Sequence, residues 1–221
     1  MNAPKTLLLG FFCLVAACAT GKGGRASSIV MEPMFIGAEP DERLGLAEFD
    51  AATLLRKGLE RQQRNDCRGA LPYYERLLVQ FPESRYLSAA ALNAGVCAEQ
   101  TGNDEGAVRY YSLITERLTH SKDYVLAAFR QAGCLRRLGK TELAERVLAA
   151  MLDREALEVP DRIEALLERA DCLVELGKPY DAERWFMRAL VLFRRNQRQL
   201  YLEPALGARA LFGLGMLAEQ R

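Results

Sequence analysis

The chain has 221 residues, of which 50% are hydrophobic and 27% are charged, and this is the composition of an ordinary globular domain. Its 30 Lys and Arg residues nearly balance its 29 Asp and Glu residues, so it lacks the basic excess that nucleic-acid binding requires. A nucleic-acid partner is therefore not expected.

Residues 1–17 have the composition of a secretory leader. Lys5 supplies the positive charge, and residues 6–17 form an apolar run of 12 residues, too short to span a bilayer but long enough for a signal-peptide core. The run ends in Ala16-Ala17-Cys18, preceded by Val15, which resembles the lipobox of bacterial lipoproteins. That resemblance implies cleavage after Ala17 and lipidation of Cys18. An ordinary secretory signal with an incidental cysteine is the alternative.

The lipobox resemblance also implies a location. Several acyl chains, such as palmitate, would hold the protein at a membrane, because each buried methylene group contributes about 0.8 kcal/mol. By the sorting rule of enteric lipoproteins, Ala19 in place of Asp implies the outer membrane. We therefore expect a lipid-anchored protein at the periplasmic face of the outer membrane.

Residues 18–41 are predicted to connect the lipid to the folded domain, which would span residues 42–221. Residues 20–28 are rich in Gly and Ser and have no hydrophobic period, as in a flexible tether. Residues 29–36 are apolar but interrupted by Pro33, and they would be costly to expose. We favour an extended strap that docks on the domain, with a partner-binding peptide as the alternative.

The remaining sequence contains an internal repeat. Four alanines recur at spacings of 37, 37 and 38 residues, and each is followed four residues later by a large apolar side chain. A turn residue precedes each alanine by five positions, and a small residue precedes it by twelve. The alanines are Ala70, Ala107, Ala144 and Ala182; the large residues are Tyr74, Tyr111, Leu148 and Phe186; the turn residues are Asn65, Gly102, Gly139 and Gly177; the small residues are Gly58, Gly95, Ala132 and Ala170.

Each repeat predicts two antiparallel helices. Apolar residues follow a helical period before the turn residue, and Gly or Asn then supplies the left-handed conformation that ends the first helix. Small residues such as Gly95 let the two helices approach, and Tyr111 fills the space that remains between hairpins. Residues 208–220 repeat the first-helix pattern without a partner helix, which predicts a C-terminal capping helix.

These positions resemble the tetratricopeptide repeat family over roughly residues 49–195. The first unit matches the family pattern with Gly58, Ala70, Tyr74 and Pro82. The units are longer than the common period of about 34 residues, and the Trp usual in the first helix is absent. The resemblance implies an all-α, right-handed superhelix of about four helix pairs with a C-terminal capping helix.

In that family the first helices line the inner face of the superhelix and bind a ligand peptide. The resemblance therefore implies a groove with an apolar floor and walls of amide and guanidinium groups. Asn93 and Arg130 match part of the carboxylate clamp of chaperone-binding members, but Leu126 stands where the clamp has lysine. The alternative is that the Leu and Phe side chains pack inside each hairpin. The candidate groove residues are Leu92, Asn93, Gln100, Phe129, Arg130 and Arg137.

The sequence offers little for catalysis. His120 is the single histidine, and no phosphate-binding loop or nucleophile motif is present, so no metal, cofactor or enzymatic activity is expected. Cys97, Cys134 and Cys172 occupy equivalent repeat positions, where a small buried side chain is needed for packing. If a disulfide forms, Cys67 and Cys97 are the expected pair, because the turn before Cys67 lies beside the next first helix.

Lipobox, tether and helical repeats together resemble the lipoproteins that assist envelope assembly. The resemblance implies a scaffold or assembly factor that binds a protein of a barrel-insertion, secretin, pilus or motility complex. A coordinator of peptidoglycan synthesis or hydrolysis, acting through protein contacts, is the alternative. Several arginines between residues 184 and 198 favour the helix dipole, and weak contact with peptidoglycan or lipid headgroups is the second interpretation.

Overall fold

The computed structural model describes residues 35–38, 46–198 and 201–219. Within these ranges a short antiparallel β-hairpin precedes nine α-helices that follow one another through short turns. The strands are β1, Phe35–Ala38, and β2, Leu46–Phe49; the helices are α1, Ala51–Gln63; α2, Cys67–Gln80; α3, Leu87–Gln100; α4, Asp104–Ser112; α5, Tyr124–Arg137; α6, Thr141–Leu152; α7, Val159–Glu175; α8, Pro179–Asn196; and α9, Pro204–Glu219.

The helices form four consecutive hairpins and a final single helix, which confirms the predicted all-α repeat architecture. Each helix packs against the next one in the chain, so α1–α2, α3–α4, α5–α6 and α7–α8 are the repeat units. First helices also contact one another, in the pairs α1–α3, α5–α7 and α7–α9, whereas successive second helices make no comparable contact. The first helices therefore lie on the inner side of the stack.

The turn inside each hairpin has the conformation predicted from its sequence. The residue two positions after the end of each first helix has a positive φ angle, a region that Gly and Asn occupy more easily than other residues. In the first two hairpins the next polar residue caps the second helix: Asp66 and Asn103 accept backbone hydrogen bonds from Gly69 and Gly106. The turn residues are Asn65 (φ 59°), Gly102 (φ 76°), Gly139 (φ 69°) and Gly177 (φ 68°).

The repeated alanines and large apolar residues form the core. All four alanines are fully buried, and Tyr74, Tyr111 and Leu148 have no exposed surface. Phe186, the equivalent residue of the last hairpin, is also buried. The spacing in the sequence therefore identified the interior side chains of every hairpin.

The last helix confirms the predicted cap. Helix α9 packs on α7 and α8, and Ala210 and Leu217 are buried in the cluster that contains Phe186. Its other side is open, with Leu211 and Phe212 exposed. A single helix thus covers the end of the core.

Two local features were not predicted from the sequence. Strand β1 pairs with β2 in antiparallel register, with Phe35 opposite Phe49, and four-residue strands are too short for an alternating pattern to be visible. Helix α4 continues as a π-helical turn over Leu113–Arg117. Of the predicted strap, residues 35 and 36 belong to β1, and the others lie outside the described residues.

The leader and Cys18 also lie outside the described residues, so lipidation and the domain boundaries remain predictions. Among the helices that the structure describes, none is sufficiently long and apolar to serve as a membrane span.

Candidate interaction surface

The six predicted groove residues lie on two neighbouring first helices, three on α3 and three on α5. These helices are joined on the inner side by an ion pair in which Arg130 Nη1 lies 3.3 Å from Glu99 Oε2. Ser88, at the start of α3, also donates a hydrogen bond of 2.7 Å to Asp123, just before α5. The two helices that carry the groove residues are therefore neighbours in the stack.

The apolar groove residues belong partly to the core. Leu92 and Phe129 are half-buried and pack against the hydrophobic cluster of the second and third hairpins. Leu126, one helical turn before Phe129, is 48% exposed. These side chains therefore help to seal the hairpins and leave some apolar surface exposed, and their role in binding a ligand peptide stays a prediction.

The strip continues toward the end of α5. Gly133 lies one turn beyond Phe129, and a Cβ atom placed on it would meet only Arg137 Nη1, at 3.7 Å. We call Leu92, Leu126, Phe129 and Gly133 the inner strip. Its apolar side chains are only partly covered, and Gly133 adds no side chain at its end.

The polar groove residues already have intramolecular partners. Asn93 Nδ2 donates to the carbonyl of Ala89 at 2.8 Å, and Arg130 is paired with Glu99. The partial clamp suggested by the family resemblance is therefore not a free pair of donors. The Asn93 amide forms its hydrogen bond within its own helix, with the carbonyl one turn earlier, and the Arg130 guanidinium is attracted to the nearby Glu99 carboxylate.

Arg137 is held more firmly than Arg130. Its Nε and Nη2 atoms donate to the Asp104 carboxylate at 3.0 and 2.6 Å, a two-point contact between α5 and α4. These hydrogen bonds lower the pKa of Asp104 and raise the pKa of Arg137. The charge of Arg137 is therefore largely compensated within the protein.

Gln100 is the most available polar residue of the predicted groove. Its Oε1 atom accepts a hydrogen bond of 2.7 Å from Cys67 Sγ, and the side chain is otherwise exposed. Within the described part of the chain nothing accepts from its Nε2 atom. Gln100 can thus donate to a carbonyl or carboxylate group of a bound polypeptide.

The other half of the inner face is an ion-pair network that sequence reasoning missed. Arg136 of α5 contacts Glu168 at 2.8 Å and Glu175 at 2.5 Å, both on α7. Arg209 of α9 contacts Glu168 at 2.6 Å and also Asp171. These partners are 32 to 41 residues apart, so only the stacking of the hairpins brings them together.

The buried cysteines have a structural role. Cys97, Cys134 and Cys172 have no exposed surface, and burial raises the pKa of Cys134 and of Cys172 to about 12. Such thiols are poor nucleophiles because the thiolate is scarce. Among the described residues no three His, Cys, Asp or Glu side chains are arranged to hold a metal ion.

Cys67 and Cys97 are both free thiols in the structure. Burial raises the pKa of Cys97, and a hydrogen bond between the Cys97 and Cys67 side chains raises it further. The two sulfur atoms are therefore neighbours, and the predicted disulfide remains a prediction.

Stacked helix pairs with a partly apolar inner face define a helical-repeat protein of the class that binds polypeptides. Residues 55–121 and 129–199 match the family described as tetratricopeptide repeat. The chain belongs to this family. No curated protein sequence matches it.

Solved structures show the same fold. The chain is similar to MamA protein, with 15% identity, a TM-score of 0.55, and coverage of 76% of this chain and 85% of that one. A tetratricopeptide repeat protein from Parabacteroides merdae has 20% identity and a TM-score of 0.58, and the match covers 76% of this chain and 58% of that one. PilF of Pseudomonas aeruginosa has 17% identity and a TM-score of 0.54, with coverage of 76% and 69%. At these identities the likeness concerns the fold alone.

Proposed function

We propose that the chain is a lipid-anchored scaffold of the bacterial cell envelope that holds a segment of a partner protein against its inner strip. Cys18 carries the lipid, and the folded domain lies at the periplasmic face of the outer membrane. The partner is a component of a multiprotein envelope machine, such as a barrel-insertion, secretin, pilus or motility complex.

The observation that carries the proposal is the uneven inner face. Ion pairs between arginines and carboxylates join the first helices from α5 to α9, whereas between α3 and α5 the ion pairs are accompanied by the exposed apolar surface of the inner strip. Leu126 is 48% exposed on this strip, so a ligand that covers it gains by removing apolar surface from water. Tetratricopeptide proteins bind their partners on the same face.

The chemistry of the strip describes the bound segment. Its apolar floor suits leucine- or phenylalanine-sized side chains, and Gly133, which has no side chain, lets a bound backbone approach more closely than a larger residue would. Gln100 offers an amide donor at one edge. The expected ligand is an extended or helical segment with spaced apolar side chains and few charges, because Arg130 and Arg137 are already paired.

Partner capture with two matched variants tests the proposal. Leu126→Glu places a charge on the inner strip, and Leu143→Glu places the same charge on α6, where Leu143 is 42% exposed on a second helix. Each variant is expressed in the native organism and cross-linked in intact cells. We expect Leu126→Glu to lose the envelope partner and Leu143→Glu to retain it, with unchanged helicity in both. Equal capture by the two variants would contradict binding at the inner strip.

A separate measurement tests the anchor. Cys18→Ser is expected to release the protein from the membrane fraction, and mass spectrometry of the wild-type chain should show an acylated N-terminal Cys18 without the leader. An intact leader with an unmodified thiol would overturn the envelope location, while the capture experiment would still report on the inner strip.

A further inference from the structure

A second recess lies between the second helices α6 and α8, with α7 beneath it. It has a volume of about 530 Å³, and its residues are not among those of the inner strip. Its apolar lining includes Trp185, Met187 and Val191 of α8. We call this recess the Trp185 groove.

Two arginine guanidinium groups lie against the ring of Trp185. The Arg169 guanidinium lies 4.1 Å from the centre of the Trp185 ring and the Arg188 guanidinium 4.5 Å from it. Arg169 is also paired with Glu145 at 2.6 Å, so its position is fixed by α6. Arg188 makes no ion pair with any residue of the described ranges, and its charge is held on the ring by the cation–π contact.

The charges that line the groove have one dominant sign. Four arginines line it, Arg162, Arg169, Arg188 and Arg195, and Asp153 supplies the single carboxylate among the lining residues. Arg169 is compensated by Glu145, so the remaining three arginines outnumber Asp153. Arg162 donates to the carbonyls of Leu152 and Arg154, at 2.8 and 2.6 Å, so it is ordered without being neutralised. A concave surface of this kind attracts an acidic ligand.

The helix dipole does not account for this arrangement. Cations are favoured within the last turn of a helix, which here includes Arg194 and Arg195. Arg188 lies more than two turns before the end of α8 at Asn196. Its placement therefore needs another explanation, and the groove supplies one.

The groove also offers apolar surface to a ligand. Met187 is 47% exposed and Val191 is 59% exposed, one turn apart on α8. Covering them would remove apolar area from water, with a gain of about 25 cal/mol per Å². Guanidinium groups beside such side chains match a ligand that combines carboxylates with apolar side chains.

We propose that the Trp185 groove binds an acidic amphipathic helix of a partner protein. Leucine- or phenylalanine-sized side chains of that helix cover Trp185, Met187 and Val191, and its Asp and Glu residues pair with Arg188 and Arg195. A polypeptide fits the recess better than a flat lipid surface does, because Trp185 and its two guanidinium groups lie within a concave wall of three helices.

Tryptophan fluorescence tests this inference directly, because Trp185 is the only tryptophan of the chain. The probe is a synthetic peptide of about 18 residues with Leu and Glu at helical spacing and no Trp or Tyr. Two control peptides have the same design, one with Lys in place of Glu and one with the residues shuffled. The full chain should give a saturable change in emission with the acidic peptide, weakened as salt rises from about 50 to 300 mM.

Two charge reversals locate the binding. Arg188→Glu should lower the affinity for the acidic peptide about tenfold or more, since it replaces an attraction by a repulsion in the groove. Arg109→Glu is the matched control, because Arg109 is an exposed arginine of the second helix α4 with no ion pair among the described residues. If Arg188→Glu loses helicity, Arg195→Glu replaces it. Leu126→Glu should bind the peptide normally, which separates this groove from the inner strip.

Three results would overturn the proposal. Equal binding of the Lys or shuffled peptide would remove the requirement for an acidic amphipathic ligand. Equal binding by wild-type protein and both groove variants would place the peptide elsewhere. An emission change with vesicles of phosphatidylglycerol and none with the acidic peptide would assign the arginines to a lipid surface instead.

Discussion

Gly95 lies directly against the ring of Tyr111, and a Cβ atom on Gly95 would come within 2.3 Å of Tyr111 Cε1. The first hairpin repeats the arrangement, with 2.4 Å between the corresponding position on Gly58 and Tyr74 Cε1. Both tyrosine side chains are fully buried. The recurrence of glycine and tyrosine at these positions is therefore a packing requirement of the two hairpins.

Gly95→Ala should therefore destabilise the protein. Overpacking a well-filled core costs about 1–3 kcal/mol, which exceeds the gain of up to about 1 kcal/mol from replacing Gly by Ala in a helix. Gly133→Ala is the matched control, because its Cβ atom would meet only Arg137 Nη1, at 3.7 Å. In urea unfolding, the free energy of unfolding of Gly95→Ala should be lower than that of wild type, and that of Gly133→Ala should be slightly higher. Equal shifts for both variants would mean that the tyrosine ring adjusts.

Repeat spacing was enough to predict the interior of this fold but not its charged surface. Gly95, Ala107 and Tyr111 have fixed roles because a hairpin admits one size of side chain at each of these positions. The partner of Arg130 was not predictable in the same way. A long side chain on the inner face can reach several carboxylates, and the choice of Glu99 depends on how neighbouring hairpins stack.

The contact between Arg137 and Asp104 should make stability depend on pH. Hydrogen bonds from Arg137 lower the pKa of Asp104, so the folded state favours the ionised carboxylate. The stabilisation is present above the unfolded pKa, near pH 4, and is lost as the pH falls through the lower folded value. Asp104→Asn should therefore cost about 0.5–1 kcal/mol between pH 5 and 8, and the difference from wild type should shrink below about pH 4.

The control for this titration is Glu155→Gln. Glu155 is exposed and has no ion pair among the described residues, so its replacement should leave the unfolding free energy unchanged across the same pH range. Thermal unfolding at each pH measures both variants. A constant difference between wild type and Asp104→Asn down to about pH 2 would show that the carboxylate charge is not the cause.

Arg209 is predicted to fasten the capping helix. It contacts Glu168 and Asp171 of α7, with Glu164 further away at 3.8 Å. Arg209→Ala leaves these carboxylates facing one another and should lower the free energy of unfolding by about 1–2 kcal/mol. This is less than the cost of breaking a fully buried pair, because the Arg209 side chain is 35% exposed. Limited proteolysis should cleave α9 earlier than in wild type. Arg146→Ala, which removes an exposed arginine of α6 that has no ion pair among the described residues, should leave the cleavage rate unchanged.

Cys67 and Cys97 are expected to form a disulfide in protein taken from an oxidising compartment. Both thiols belong to the same buried core cluster, and Cys67 contributes to the raised pKa of Cys97. A disulfide between them would close a loop of about 30 residues, which in the chain-entropy account stabilises a protein by about 3–4 kcal/mol. Alkylation followed by mass spectrometry should find these two cysteines linked. Cys134 and Cys172 should stay reduced and react only after unfolding, because burial raises the pKa of each thiol to about 12.

Two serine variants separate the disulfide from general effects of removing a buried thiol. Reductant should lower the melting temperature of wild type and of Cys172→Ser, because both retain the linked pair. Reductant should leave the melting temperature of Cys97→Ser unchanged, since that variant cannot form the disulfide. Protein made in a reducing cytoplasm should have free thiols and match the reduced form. If Cys67 and Cys97 are unlinked in protein recovered from an oxidising compartment, the predicted pairing is wrong, because neighbouring thiols have every opportunity to oxidise there.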